Sequence, residues 1–274
     1  MRRFKLYVAV MLTSLLSVLM LTGCRGGVGQ DAHFIIAGST SVQPYVEMLA
    51  EEFARINPEL LIDVQGGGSS AGIQAAESQA ADLGMTSRDL RESEQYLWST
   101  VITKDGLAII VNPQNSLITL TLEQLRGIYT GQYSNWSQVG GADARIHVIA
   151  REEGSGTRGA FEEMVMDGQR ISSRAIVQNS NGSVRQLVSG DPYSIGFISL
   201  GLVDSGEMMV KALQINGVEA SRENVMNHTY TLFRSFLFVA LEEPTGDIVQ
   251  FIDFIRSDEG QELLSAEGLI PPEA

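Results

Sequence analysis

Three times along this chain a short apolar run gives way to a cluster of Gly, Ser and Thr and then to an amphipathic helical stretch. "HFIIA" leads to "GSTS" and "VQPYVEMLAEEFARI", where Val42, Tyr45, Val46, Leu49 and Phe53 share one face at helical spacing. "LLIDV" leads to "QGGGSS" and "AGIQAAESQ", and "RIHVIA" leads to "REEGSGT" and "RGAFEEMVM". Strand, small-residue turn and helix in this order predict α/β architecture with strands feeding helices. The Ser and Thr residues at the junctions are expected as N-caps, and Pro44 falls in the first turn of its helix, where a missing N–H costs little.

Two further apolar runs, "DGLAIIVNPQN" and "YTLFRSFLFVAL", lie roughly 120 residues apart, and the second is followed by the helical "TGDIVQFIDFIRSDEGQELLSAEG". Such a pair suits crossover segments joining two lobes. No low-complexity linker divides the chain, so interleaved lobes are expected: residues 33–108 open lobe 1, 109–235 form lobe 2, and 236–274 return to lobe 1. The 274 residues, 44% apolar and 19% charged, supply a sizeable core.

At the N-terminus "MRRFK" is a basic segment and "LYVAVMLTSLLSVLML" an apolar one of signal-peptide length. Leu21, Thr22, Gly23 and Cys24 follow at once and match the lipobox of bacterial lipoproteins. That match implies removal of residues 1–23, a lipid on the Cys24 sulfur and attachment to a membrane outside the cytoplasm. A transmembrane anchor is the alternative, for which the run is short. Cys24 is the only cysteine, so no internal disulfide and no thiolate ligand or nucleophile is available. Residues 24–32, with "RGGVGQD", read as a flexible tether. Loss of Arg2, Arg3 and Lys5 leaves 16 basic residues against 33 acidic ones, a formal charge of −17. This excludes a nucleic-acid partner, which needs a basic footprint. A small anion stays admissible, because donors within a Debye length of about 8–10 Å outweigh distant surface charge.

A Gly, Ser and Thr turn that opens a helix presents unsatisfied backbone N–H groups, a positive dipole end and hydroxyl donors, the ingredients of an oxyanion site. One such loop is weak evidence, whereas "AGSTS", "GGGSSAG" and "REEGSGT" together can surround a tetrahedral ion. Arg151 would add a full charge; its other reading is a surface ion pair with the neighbouring glutamates. An enzyme reading also exists, since Gly68, Ser69, Ser70, Ala71 and Gly72 match G-x-S-x-G with Ser70 as the nucleophile. Its histidine would have to be His147 or His228, and neither sits in a turn-rich, acid-flanked context. His33, His147 and His228 show no metal-ligand spacing and no nucleotide P-loop is present, so no metal or cofactor is expected.

Taken together the loops resemble the phosphate-binding proteins of bacterial Pst ABC importers, within the type II periplasmic-binding-protein fold. "IIAGSTSVQPYVEMLAEEF", "VQGGGSSAGIQA", "ADLGMTSRDL" and "REEGSGTRGAFEEMV" resemble the four ligand loops of that family in order, with "EQLRGIYTGQYSNWSQVGG" and "SIGFISLG" as less specific company. The resemblance implies a two-lobed α/β protein, each lobe a mixed sheet flanked by helices, that closes over inorganic phosphate and delivers it to a membrane permease as a monomer without covalent chemistry. It implies phosphate contacts from Thr40, Ser41, Ser69, Ser87, Arg151, Ser155, Gly156 and Thr157, with Ser39 and Arg88 as additional candidates. Ser87 stands where the best-known members carry an aspartate that accepts a phosphate proton, which leaves sulfate or molybdate open as ligands. A phosphate-sensing surface lipoprotein is a further alternative.

Overall fold

Each repeated unit folds as strand, turn and helix. β1 (Ala32–Gly38) leads to α1 (Gln43–Ile56), and β2 (Leu60–Gly66) to α2 (Ser69–Glu77). After β3 (Leu83–Thr86), β4 (Trp98–Val111), β5 (Thr119–Leu120) and α3 (Leu122–Thr130), β6 (His147–Arg151) leads to α4 (Gly156–Phe161), which continues as a π-helical turn over Glu162–Met166. A fourth unit of the same kind follows, β7 (Ile176–Gln178) into α5 (Asn181–Gly190). The order closes with β8 (Ser194–Ser199), β9 (Lys211–Ala212), β10 (Gln214–Ile215), α6 (Arg222–Met226), β11 (Phe233–Ala240), α7 (Asp247–Arg256) and α8 (Asp258–Ala266). This computed structural model describes residues 32–204 and 209–272. The signal segment, Cys24 and all of the tether except Ala32 lie outside the described residues. Among those described, no helix is long and apolar enough to cross a membrane.

The C-terminal stretch is helical as expected and divided in two, because Ser257 is extended and its hydroxyl caps the second helix, accepting from the Gly260 N–H at 3.3 Å. One local expectation needs correction: hydroxyls do not cap every junction. The N-caps of α1 and α2 are Val42 and Gly68, neither with a side-chain cap bond, and only α4 is capped as expected, by Ser155. The hydroxyls of the first two loops are turned elsewhere.

The main sheet runs β2–β1–β3–β11–β4–β8–β6–β7, with β9 added on β4. β1 and β3 are parallel, as are β6 with β8 and with β7, while β11 is antiparallel to both β3 and β4, and β4 to β8. The 14 residues of β4 span about 45 Å. Trp98 to Gly106 pair with β11 and Leu107 to Val111 pair with β8, so one strand serves both halves of the sheet. The second long apolar run thus lies along the first part of β4 and meets the other run only where that run begins, with Arg234 directly opposite Asp105.

Burial follows the apolar pattern. Tyr45, Val46, Leu49, Ala50 and Phe53 of α1 are buried, and Phe53 meets the Phe251 ring at 5.3 Å. Around the far half of the sheet, Tyr129, Phe161 and Phe197 pack together, with Phe161 and Phe197 stacked at 4.2 Å. Each such side chain contributes about 1.5–3 kcal/mol. Close approach of α2 to β1 depends on Gly72, where a Cβ would lie 2.5 Å from Ala37 O and 2.6 Å from the Gly38 Cα. That contact seats Ser69, at the start of α2, against the ends of β1 and β3. Residues His33–Ala274 form one compact unit.

Candidate anion-binding site

The loops that follow β1, β2, β3 and β6 meet at one place, outside the carboxyl ends of those strands, where open α/β sheets hold their ligands. Ser39, Ser41, Ser69, Ser87, Ser155 and Thr157 are all buried there. Ser39 Oγ accepts from the Ser41 N–H at 3.2 Å and donates to Ser87 Oγ at 2.8 Å. Ser69 Oγ accepts from the Ser87 N–H at 3.1 Å and lies 3.4 Å from Ser87 Oγ. Ser41 Oγ and Thr157 Oγ1 share a hydrogen bond at 2.7 Å, and the Ser70 N–H donates to Gly154 O at 3.0 Å, joining the loops of the two half-sheets. Gly156 closes the ring: a Cβ there would lie 2.1 Å from Ser69 Oγ and 2.6 Å from Ser87 Oγ.

Arg151, at the end of β6, is 1% exposed. Its Nε and Nη2 donate to Glu152 at 3.0 and 2.9 Å, and Nη2 also reaches Thr40 Oγ1 and Asn179 O, each at 3.2 Å. Nη1 is buried without a hydrogen-bond partner. Such a donor is costly unless something accepts from it, so the surface ion-pair reading does not describe this side chain. Arg88 differs. Its guanidinium is committed to both oxygens of Glu94, at 2.7 and 2.9 Å, and to Asp89 O, and these bonds hold the Glu94 carboxyl below its ordinary range. Ser155 Oγ caps α4, accepting from the Arg158 N–H at 3.2 Å.

Three residues join the site that the sequence reading had passed over. Asn181, at the start of α5, donates through Nδ2 to Ser41 Oγ at 2.9 Å. Arg234 donates through Nη2 to the same oxygen at 3.3 Å and, through Nε and Nη2, to Asp105 Oδ2 at 3.3 and 3.0 Å. Asp105 also accepts from Ser199 Oγ at 2.8 Å. Burial pushes the Asp105 carboxyl up and the Arg234 guanidinium down, each opposed by the other's charge. A signal for each existed: "NSNGS" repeats the strand, small-residue turn and helix pattern, Asp105 is a charge at the head of an apolar strand run, and Arg234 is the single charge within another.

Ser70 and His147 do not come together as a hydrolase pair. His147 does have an acid, with Nδ1 2.6 Å from Asp191 Oδ2, but it stands at the N-terminal end of β6, whereas Ser70 sits against Gly154 beyond the other end. Among the described residues no group of three or more His, Cys, Asp or Glu side chains is placed to hold a metal ion.

A mixed sheet whose loops gather hydroxyls and guanidinium donors defines an anion-binding protein of the periplasmic-binding type, and sequence comparison agrees: the PBP superfamily domain matches residues 26–259. The chain is 30% identical over 274 residues to the phosphate-binding protein PstS of Borreliella burgdorferi, covering 95% of this chain and 97% of that one. Among solved structures it is 40% identical, with a TM-score of 0.84, to a Clostridium perfringens protein assigned as a phosphate ABC transporter substrate-binding protein and solved with bound phosphate, covering 88% of this chain and 100% of that one. It is also 40% identical, with a TM-score of 0.73, to an ABC-type phosphate transport receptor from Vibrio cholerae, covering 87% and 100%. The chain belongs to the PBP superfamily and, within it, to the PstS family of phosphate-binding proteins.

Proposed function

We propose that this chain is an extracytoplasmic solute-binding lipoprotein that captures inorganic phosphate and delivers it to the membrane permease of an ABC importer. The observation that carries the reading is the meeting of the Ser39, Ser41, Ser69, Ser87 and Thr157 hydroxyls beside Thr40, which accepts from buried Arg151, whose Nη1 is left unpartnered. Those groups suit a tetrahedral anion, whose oxygens take several directed donors at once. The likeness to relatives named for phosphate supports the choice of ion.

On this reading Thr40, Ser41, Ser69, Ser87, Arg151, Ser155, Gly156 and Thr157 hold the anion, Ser39 orients Ser87, and Arg88 braces the third loop through Glu94. The lobes, 33–108 with 236–274 and 109–235, close by hinge motion of the paired strands β4 and β11. Cys24 carries the lipid, the protein acts as a monomer, and it performs no covalent chemistry. The test is calorimetric titration of the form lacking residues 1–24 with phosphate, sulfate, arsenate and molybdate. Micromolar or tighter phosphate binding, about −8 kcal/mol or better, is expected, and its absence sinks the proposal. Ser87 in place of an aspartate favours a second reading, a binder of another oxyanion, and the same titration decides it: sulfate or molybdate would displace phosphate at equal concentration.

A further inference from the structure

The donor fork of Arg234 is divided between two tasks. A guanidinium is planar with five N–H donors, so a carboxylate held along its Nε–Nη2 edge leaves the Nη1–Nη2 edge facing elsewhere. Here the first edge faces Asp105, directly across the strand pair. On the second edge Nη2 donates to Ser41 Oγ, while Nη1 is buried with no hydrogen-bond partner. Ser41 Oγ in turn shares its bond with Thr157, and the adjacent Thr40 accepts from Arg151. Two buried guanidiniums, each with an unpartnered Nη1, therefore approach one set of hydroxyls.

The charged and titratable groups facing Arg234 are Asp105 on β4, Arg151 on β6 and Tyr45 on α1, and the guanidinium lies over the Phe236 ring at 5.4 Å. Burial raises the Tyr45 hydroxyl, so it stays neutral. Arg151 is close enough for its charge to work against that of Arg234. That repulsion is relieved when negative charge sits between them, and a doubly charged ion relieves it more than a singly charged one.

We propose that Arg234 is a second, specificity-determining cation of the anion site, with Asp105 as its positioning residue, and that it makes the site select the doubly charged form of a tetrahedral anion. The inference rests on the phosphate reading above. Asp105 orients the fork so that the Nη1–Nη2 edge meets the anion, and Asn181 completes the arrangement by donating to Ser41.

The experiment is calorimetry on the form lacking residues 1–24, which contains the compact unit His33–Ala274. Inorganic phosphate is titrated on either side of its second ionisation, in buffers of differing ionisation enthalpy, and molybdate or sulfate serves as a control whose charge is constant over that range. The unsubstituted chain is expected to bind phosphate at least about tenfold more tightly above the ionisation. Below it, binding should release about one proton per anion. Arg234→Gln should lose at least about tenfold in affinity for the dianion and less for the monoanion, flattening the pH profile, and Arg234→Lys should restore part of the slope. An Arg234→Gln protein with unchanged affinity and slope overturns the inference. So does an unsubstituted chain that takes both ionic forms equally and releases no proton, a measurement that needs no variant to fold. A chain that binds no phosphate at all sinks the phosphate reading, whereas phosphate binding indifferent to Arg234 sinks this inference alone.

Discussion

Gly156→Ala separates ligand contact from fold stability. Gly156 opens α4 with an ordinary backbone conformation, so the substitution strains no dihedral, and helix propensity favours alanine by up to about 1 kcal/mol. Its methyl would nevertheless sit 2.1 Å from Ser69 Oγ and 2.6 Å from Ser87 Oγ. Both are ends of short side chains that can rotate, at the cost of the Ser87 N–H to Ser69 and Ser39 to Ser87 hydrogen bonds, which the gain in helix propensity partly offsets. They cannot do so and still donate to an anion. Loss of two charge-assisted hydrogen bonds at about 1.5–3 kcal/mol each gives about 3–6 kcal/mol, or a Kd raised roughly a hundredfold to ten-thousandfold. The melting temperature without ligand should stay within about 4 °C. Phosphate calorimetry and thermal melting read the two quantities separately. A Kd within about threefold of the unsubstituted value would refute the reasoning, because Ser69 and Ser87 would then not be ligand donors.

Arg151→Ala should weaken phosphate binding at least about tenfold by calorimetry; an unchanged affinity would mean that Arg151 serves only Glu152, Thr40 and Asn179. Gly72→Ala places a methyl against the backbone of β1 rather than against mobile side-chain ends, so it should lower both stability, by about 1–3 kcal/mol, and affinity, and a loss of affinity alone would contradict the packing argument. Glu94→Gln should flatten the acid limb of stability. The bonds from Arg88 depress the Glu94 carboxyl, so its contribution is complete above the ordinary carboxylate range and is lost as pH falls through the lowered value. Thermal melts from about pH 7 down to about pH 3 that run parallel for both proteins would refute it.

The repeated strand, turn and helix units were legible because both parts of their pattern are local: α1 buries the face its spacing marks, and each Gly, Ser and Thr cluster falls at a helix start. What those hydroxyls do there was not legible. A serine at a junction caps its own helix or faces a distant loop, and the choice is made by tertiary neighbours: Ser155 bonds to its own helix, whereas Ser69 turns to Ser87, 18 residues on. The strand register is likewise non-local. Asp105 and Arg234 are 129 residues apart, and only their opposition across β4 and β11 makes them one feature. Asn181 was missed for a different reason, since its unit carries a strand of only three residues, too short to register as an apolar run.

Three of the buried arginines, Arg88, Arg151 and Arg234, explain how a chain with a formal charge of −17 after loss of its N-terminal segment can hold an anion. Arg88, Arg151 and Arg234 each have a carboxylate partner, in Glu94, Glu152 and Asp105. The site therefore carries little net charge and does not draw its ligand by a positive field. It offers directed N–H and O–H donors in a place from which water is largely excluded, where each such bond is stronger than at the surface. What distinguishes the arginines is the part of the fork their carboxylates leave over. Arg88 has given both terminal nitrogens to Glu94, whereas Arg151 and Arg234 each retain a buried Nη1. Sequence ranks the arginine at the end of β6 above the one directly after Ser87, but it is the geometry of their acids that separates a brace from a ligand.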